Sequence, residues 1–177
     1  MDSVKASLAN PAFSLRKADR DKAFRVLIVY DDAAAGRCGM ESYQRLLSQF
    51  GQEFDFQIRL WSFEILQGTG LNELAARDAI EADAIILATH FGDELPAGIK
   101  RWMEGWIPQK RGRKAAMIAL VGATAAGTRD YLKQVSADAG MDFLSREIQS
   151  EQHSRRPPWT FVPPDDGRRY EGWGLND

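Results

Sequence analysis

Short apolar runs alternate along the chain with segments whose apolar residues recur every three or four positions. Three of these runs, inside 24–30, 84–88 and 115–121, are almost continuously apolar, which is typical of interior strands in a parallel sheet. The run 54–60 alternates apolar and polar residues, and 142–148 contains several charges. Both patterns favour strands at the edges of a sheet. The pattern therefore predicts five strands, with the second and the fifth outermost.

Four amphipathic helices are predicted from apolar residues at helical spacing. Gly51 and Gly140 follow the first and the last of these stripes, and glycine is the usual residue just past a helix C-terminus. Pro96 suits the first turn of the third helix, and Pro108 is predicted to end that helix. The four stripes lie within 40–50, 71–79, 99–107 and 131–139.

The alternation of strands and helices predicts parallel strands joined by right-handed crossovers. With the two charged strands at the edges, the strand order that fits is 2-1-3-4-5, a doubly wound arrangement. The predicted fold class is α/β, with a five-stranded parallel sheet between two layers of helices. In such a sheet, ligands bind at the carboxyl ends of the strands, where the crossovers diverge to opposite faces.

The chain is predicted to have three parts: a charged leader over 1–23, a single domain over 24–148 and a C-terminal strap over 149–177. Four of the seven prolines fall in the strap, which argues against a helix or a central strand there. Its four large aromatic residues argue against simple disorder. The strap is therefore expected to lie, extended, on the domain or on a neighbouring subunit in a homo-oligomer.

Composition and charge narrow the function classes. The chain has 177 residues, 44% apolar and 27% charged, which fits one soluble globular domain. The formal charge is −2, so nucleic acid and anionic membrane surfaces are not expected partners. No run of about 18 apolar residues is present, so no membrane span is predicted. The leader lacks an apolar secretory core, so a cytoplasmic location is expected.

Cysteine and histidine are scarce. The single Cys38 excludes an intramolecular disulfide and a zinc site built on cysteines. With only His90 and His153 as histidines, no metal centre is predicted. The loop around Cys38 also fails the Cys-x5-Arg spacing of a phosphatase, because Gln44 stands where the arginine is needed and Arg45 comes one residue later.

Candidate ligand-binding residues follow strands 1, 3 and 4, in loops predicted at 31–39, 89–95 and 122–127. A small-molecule ligand is the partner expected there. Because no nucleophile with an adjacent base is recognisable, no catalytic residue is assigned. The candidate binding residues are Asp31, Asp32, Arg37, His90, Phe91 and Thr124.

The segment 82–106 resembles the third strand, loop and helix of the NAD(P)H-dependent FMN reductases in the flavodoxin-like superfamily. The similarity lies in Pro96, in Ile99 with Lys100, and in the acidic-Gly-Trp ending 104–106. It implies a flavodoxin-like fold, FMN as cofactor and oxidoreductase chemistry carried by the flavin.

The same resemblance implies roles for individual residues. It implies that Phe91 and Trp61 flank the flavin ring, that Arg37 contacts the phosphate and that 123–128 forms a second flavin loop. The phosphate loop departs from the family, because 31–39 contains no hydroxyl and begins with two carboxylates that repel a phosphate. FMN or another small ligand is therefore one hypothesis. A non-catalytic interaction module on the same scaffold is the alternative.

The stretch 26–32 also resembles the first strand of response-regulator receivers, which ends in a magnesium-binding acidic pair. Thr89 and His90 occupy the place of the phospho-accepting aspartate, and no lysine follows strand 5. A working receiver is therefore not expected, whereas a receiver-like module that binds partners stays open.

Three further patterns have structural interpretations. Trp102 and Trp106 lie on one helical face with Met103 and are predicted to pack in the core. The basic run 110–114 is predicted to be a solvated turn. Asp93 and Glu94 are predicted to lie at the positive end of the third helix.

Overall fold

The computed structural model describes residues 23–68 and 70–148, so the predictions for the leader and for the strap lie outside the described residues apart from Ala23. The elements follow the predicted alternation, with two helices rather than one between the second and third strands. They are β1 (Ala23–Tyr30), α1 (Ala33–Phe50), β2 (Asp55–Ser62), α2 (Phe63–Gln67), α3 (Asn72–Glu81), β3 (Ala84–Thr89), α4 (Ala97–Lys110), β4 (Ala116–Val121), α5 (Ala126–Ala139) and β5 (Asp142–Glu147).

The sheet has the order β2-β1-β3-β4-β5, and every neighbouring pair is parallel. The predicted fold class and strand order are confirmed. All six residues of β3 are buried, whereas β2 and β5 are largely exposed, so polarity along the strands does separate the interior from the edges.

Two apolar clusters cover the two faces of the sheet. The larger cluster packs α2, α3, α4 and α5 on one face, with Trp102 and Trp106 buried in it as predicted. The smaller cluster packs α1 on the opposite face, over β1 and β3. Within 23–68 and 70–148, no helix has both the length and the apolar character needed to cross a membrane.

The prediction that Pro108 ends the third helix is wrong. The corresponding helix, α4, continues through Pro108 to Lys110. Proline removes one helical hydrogen bond, but Pro108 lies on an exposed side of the helix, where water can hydrate the freed carbonyl. The two residues beyond Pro108 matter because they carry Lys110 into the interior.

The solvated-turn prediction for the basic run is also wrong at its first residue. Lys110 is fully buried, and its Nζ donates hydrogen bonds to the carbonyl oxygens of Ala79 at 2.8 Å, of Ile80 at 3.1 Å and of Ala82. These carbonyls close the C-terminal end of α3, which a cation stabilises. Removal from water lowers the pKa of Lys110 to about 8, and the charge of Asp83 limits the shift.

The pKa of Lys110 makes stability depend on alkaline pH. Between its folded value of about 8 and its ordinary value of 10.5, the unfolded chain binds more protons than the folded one. Stability therefore rises with pH in this window. We expect urea unfolding of the wild type at a series of pH values to show this rise, and the variant Lys110→Met to lack it. An identical pH profile for the two proteins would contradict the assignment.

Candidate functional site

The carboxyl ends of β1 and β3 bring four of the six candidate residues together. Side-chain ligand atoms of Asp31, Asp32 and His90 all lie within 4.8 Å of one another, and the backbone N–H of Phe91 reaches the same cluster. The other two candidates lie outside it. Arg37 is exposed in the second turn of α1, and Thr124 is exposed in the turn between β4 and α5.

Asp31 ties the end of β1 to the loop after β3. Its Oδ2 accepts hydrogen bonds from Thr89 Oγ1 at 2.8 Å, from His90 N at 2.7 Å and from Phe91 N at 3.2 Å. Its Oδ1 accepts from Asp32 N at 2.8 Å. Four donors therefore surround this one carboxylate, which holds backbone N–H groups that a bound anion would otherwise use.

Asp32 caps the N-terminus of α1. Its Oδ1 accepts from Ala35 N at 2.8 Å, and its Oδ2 lies 3.2 Å from His90 Nδ1. Burial raises the pKa of the Asp32 carboxyl, but the hydrogen bond from Ala35 and the neighbouring His90 outweigh it, so that the pKa lies below its usual value. The positive end of α1 is thus neutralised by the chain's own carboxylate.

The predicted loop 31–39 is wrong, because α1 begins at Ala33. The two glycines of this segment serve packing rather than a ligand loop. A Cβ on Gly36 would lie 3.2 Å from Tyr30 Cδ2, and one on Gly39 would lie 2.7 Å from Ile28 Cγ2. They let α1 approach β1 closely, and only two residues remain between strand and helix.

The loop after β3 is also fastened to α5. Gly127 N donates to Asp93 Oδ1 at 2.9 Å, and Thr128 Oγ1 donates to the carbonyl of Gly92 at 2.7 Å. Asp93 therefore lies at the start of α5 and not, as predicted, at the start of the helix that follows it in sequence. Glu94 does reach that helix, through an ion pair of 2.8 Å with Lys100.

Gly127 provides a test of this fastening. A Cβ at Gly127 would lie 2.4 Å from the carbonyl oxygen of Asp93, whereas one at Gly105, in α4, would meet nothing within 4 Å. We expect Gly127→Ala to lower the free energy of unfolding by about 1–3 kcal/mol through steric overlap. The control Gly105→Ala should raise it by roughly 0.5–1 kcal/mol through helix propensity. Equal stabilities of the two variants in urea titrations would contradict the close contact.

Three large apolar side chains are exposed at this end of the sheet, beside charged ones. Phe91 is 45% exposed and stacks on buried Phe63, with ring centroids 6.0 Å apart and planes 7° apart. Leu71, just before α3, and Ile65, in α2, are 49% and 40% exposed. The indole ring of Trp61 is not available to flank a flavin at this end of the sheet. It packs against the larger cluster and donates a hydrogen bond from Nε1 to Asp78 at 2.8 Å.

We use the word rim for the ends of β1 and β3 with the segments that follow them or border them: 31–35, 63–68, 70–71 and 89–95. The side chains of Asp31, Asp32, Thr89, His90 and Asp93 in the rim bond to one another or to α5. A surface hollow of about 460 Å³ lies between α3 and α4. A second, of about 110 Å³, lies beside β1 and β2. Neither hollow is lined by Asp31, Asp32, His90 or Phe91.

The residues at the rim do not fit the phosphate of FMN. The N-terminus of the first helix is where that phosphate is expected, and there Asp32 already accepts from Ala35 N. Asp31 accepts from the N–H of His90, and Asp31 and Thr89 Oγ1 share the N–H of Phe91. Asp31, Asp32 and His90 could offer three oxygen or nitrogen ligands to a cation, but the Asp31 oxygens are already taken up by four donors.

Comparisons with known proteins support the fold. No family model matches the sequence, and no curated protein does. The flavodoxin-like domain of a Synechococcus protein is 14% identical, with a TM-score of 0.50 over 73% of this chain and 85% of that one. Flavodoxin of Megasphaera elsdenii is 19% identical, with a TM-score of 0.48 over 70% and 84%. The chain has a flavodoxin-like fold, as the sheet order also shows.

Proposed function

We propose that this protein is an interaction module that binds another protein through the rim, with no flavin as a permanent cofactor. The observation that supports this is that the polar groups at the ends of β1 and β3 bond to one another, while the large apolar side chains of Ile65, Leu71 and Phe91 are exposed beside charged ones. A ligand site needs polar groups free to orient the ligand. A protein interface uses exposed aromatic and aliphatic side chains as anchors.

Three exposed side chains support this proposal. By the direction of the chain, Ile65 and Leu71 follow β2 and precede α3 at the carboxyl end of the sheet, and Phe91 follows β3 at the same end. Each is at least 40% exposed. Phe91 is held flat on Phe63, so binding would cost little side-chain entropy.

A matched pair of leucine variants tests the rim as an interface. Leu71 lies at the rim, whereas Leu47, 41% exposed, lies near the C-terminal end of α1 at the opposite end of the sheet. We expect native mass spectrometry of the protein from gently lysed source cells to show a bound polypeptide. Leu71→Ser should lose it and Leu47→Ser should keep it. A bound flavin, or a partner equally retained by both variants, would contradict the proposal.

A flavin with redox chemistry is the second candidate, favoured by the flavodoxin-like fold and by the exposed ring of Phe91. Aromatic rings stack well on planar ligands. Since the phosphate lacks a cradle, riboflavin should bind at least as well as FMN. Parallel fluorescence titrations with both flavins, for the wild type and Phe91→Ala, decide between the candidates. No quenching supports the module, and quenching that Phe91→Ala abolishes supports the flavin.

A further inference from the structure

On one side of the sheet, no helix of the described residues packs extensively on β5, and α1 reaches only β4. α5 packs against both strands from the side of the larger cluster. On the other side lies α1, which packs chiefly against β1 and β3 and touches β4 only at its margin. The outer part of this face, over β4 and β5, is called the open face below.

The open face is apolar along β4, where Leu120 is already fully buried, whereas along β5 the charged Asp142 and Arg146 alternate with Leu144 and Ile148. Ile118 and Leu120 of β4 belong to the α1-side cluster, and Ile118 pairs in register with Leu144 of β5. Phe143 packs on the α5 side, so strand alternation places Leu144 and Ile148 on the α1 side. The half-buried side chains of Ile118 and Leu144 are the apolar surface that this side of the sheet leaves for a covering segment.

The last described residue, Ile148, lies on the side of the sheet that carries the open face. Ile148 is only 7% exposed, packs in the α1-side cluster and donates its N–H to the Val121 carbonyl at 2.9 Å. Residues 149–177 follow it. Because α5 already covers the other side of β5, the open face is the sheet surface left for the chain that continues from Ile148.

We propose that the strap, residues 149–177, docks on the open face of its own chain. An extended segment of about 12 residues spans roughly 40 Å, enough to run back along a strand of about 20 Å. This reach brings Trp159 and Phe161 over β4 and β5. The two proline pairs, 157–158 and 163–164, lack N–H donors, so the strap covers the face through side chains rather than as a sixth strand.

The strap of the same chain is favoured over that of a second copy by tethering. A segment attached at Ile148 is present at an effective concentration in the millimolar range, far above that of a second molecule in solution. Trp159 and Phe161 supply large apolar surfaces of the kind that cover such a strip. This docking surface is separate from the rim, so the proposal does not depend on the proposed function.

Trypsin digestion of the full chain tests the docking. The strap offers cleavage sites after Arg155, Arg168 and Arg169, and cleavage rates follow the population of the undocked strap. We expect Leu144→Asp to speed cleavage at these sites at least about ten-fold, as followed by intact-mass spectrometry. The control Leu47→Asp should leave the rate unchanged. Equal rates for the wild type and Leu144→Asp would overturn the proposal.

Two further measurements distinguish loss of docking from a folding defect caused by Leu144→Asp. The double variant Trp159→Ala and Phe161→Ala leaves the described domain untouched and should speed cleavage as Leu144→Asp does. If it does not, the proposal is wrong. The rate at which trypsin cleaves the strap of the wild-type protein should not change when the protein is diluted. Protection that disappears on dilution would show that the strap of a second copy covers the face, which also overturns the proposal.

Discussion

Replacing Lys110 with methionine should lower the free energy of unfolding by about 3 kcal/mol at neutral pH. Methionine preserves most of the side-chain volume, but it leaves the carbonyls of Ala79, Ile80 and Ala82 without their donor. Each unsatisfied buried polar group costs about 1–3 kcal/mol, and relief from burying the ammonium offsets part of that sum. Urea or guanidinium unfolding followed by circular dichroism measures the change.

Lys114 provides the control for this substitution. It is exposed at the end of the same basic run, and Lys114→Met should change stability by no more than about 0.5 kcal/mol. If Lys110→Met were as stable as Lys114→Met, the buried cap at the end of α3 would not exist in solution.

Removing the Asp31 carboxylate should have the second-largest effect. Asp31→Ala leaves the N–H groups of His90 and Phe91 and the hydroxyl of Thr89 without this acceptor. Hydrogen bonds to a charged group contribute about 1.5–3 kcal/mol each, but water replaces part of them at this half-buried site, so we expect a total loss of about 2–3 kcal/mol. Denaturant unfolding measures that loss.

Hydrogen exchange separates this local role from a general loss of stability. The amide of His90 should exchange faster in Asp31→Ala, whereas amides in the middle of β4 should change only as far as global stability does. Asp55→Ala is the control, because Asp55 is an exposed carboxylate at the start of β2 and should cost at most about 0.5 kcal/mol. Unchanged exchange at His90 would refute the role given to Asp31.

The fold could be predicted from the sequence because its signals are local. Uninterrupted apolar residues mark β3 and β4 as interior strands, and the charges of β2 and β5 mark the edges. The order of the sheet follows from those polarities together with the alternation of elements. Element ends were less predictable, as the continuation of α4 through Pro108 shows.

The rim could be predicted only in part. The topology brought Asp31, Asp32, His90 and Phe91 to one place, because the ends of parallel strands share one edge. Gly36 and Gly39 make their segment resemble a loop, because glycine in a sequence does not reveal whether it serves a turn or close packing. Asp32 as a helix cap before a run of alanines was the signal that favoured the helix.

Contacts between distant residues account for the remaining errors. Lys110 bonds to carbonyls about thirty positions earlier, and Asp93 bonds to Gly127 in another helix. Neither partner can be inferred from spacing along the chain. The basic run 110–114 therefore resembled a solvated turn, although its first residue is one of the most buried side chains of the domain.

The claim that the chain's own carboxylates occupy the phosphate position of the rim can be tested directly by nuclear magnetic resonance. Amide correlation spectra of the wild-type protein would be recorded while FMN is added. The amide signals of Ala35, His90 and Phe91 are expected not to move, because Asp32 and Asp31 already accept from these N–H groups. Saturable shifts of these three signals with FMN would contradict it.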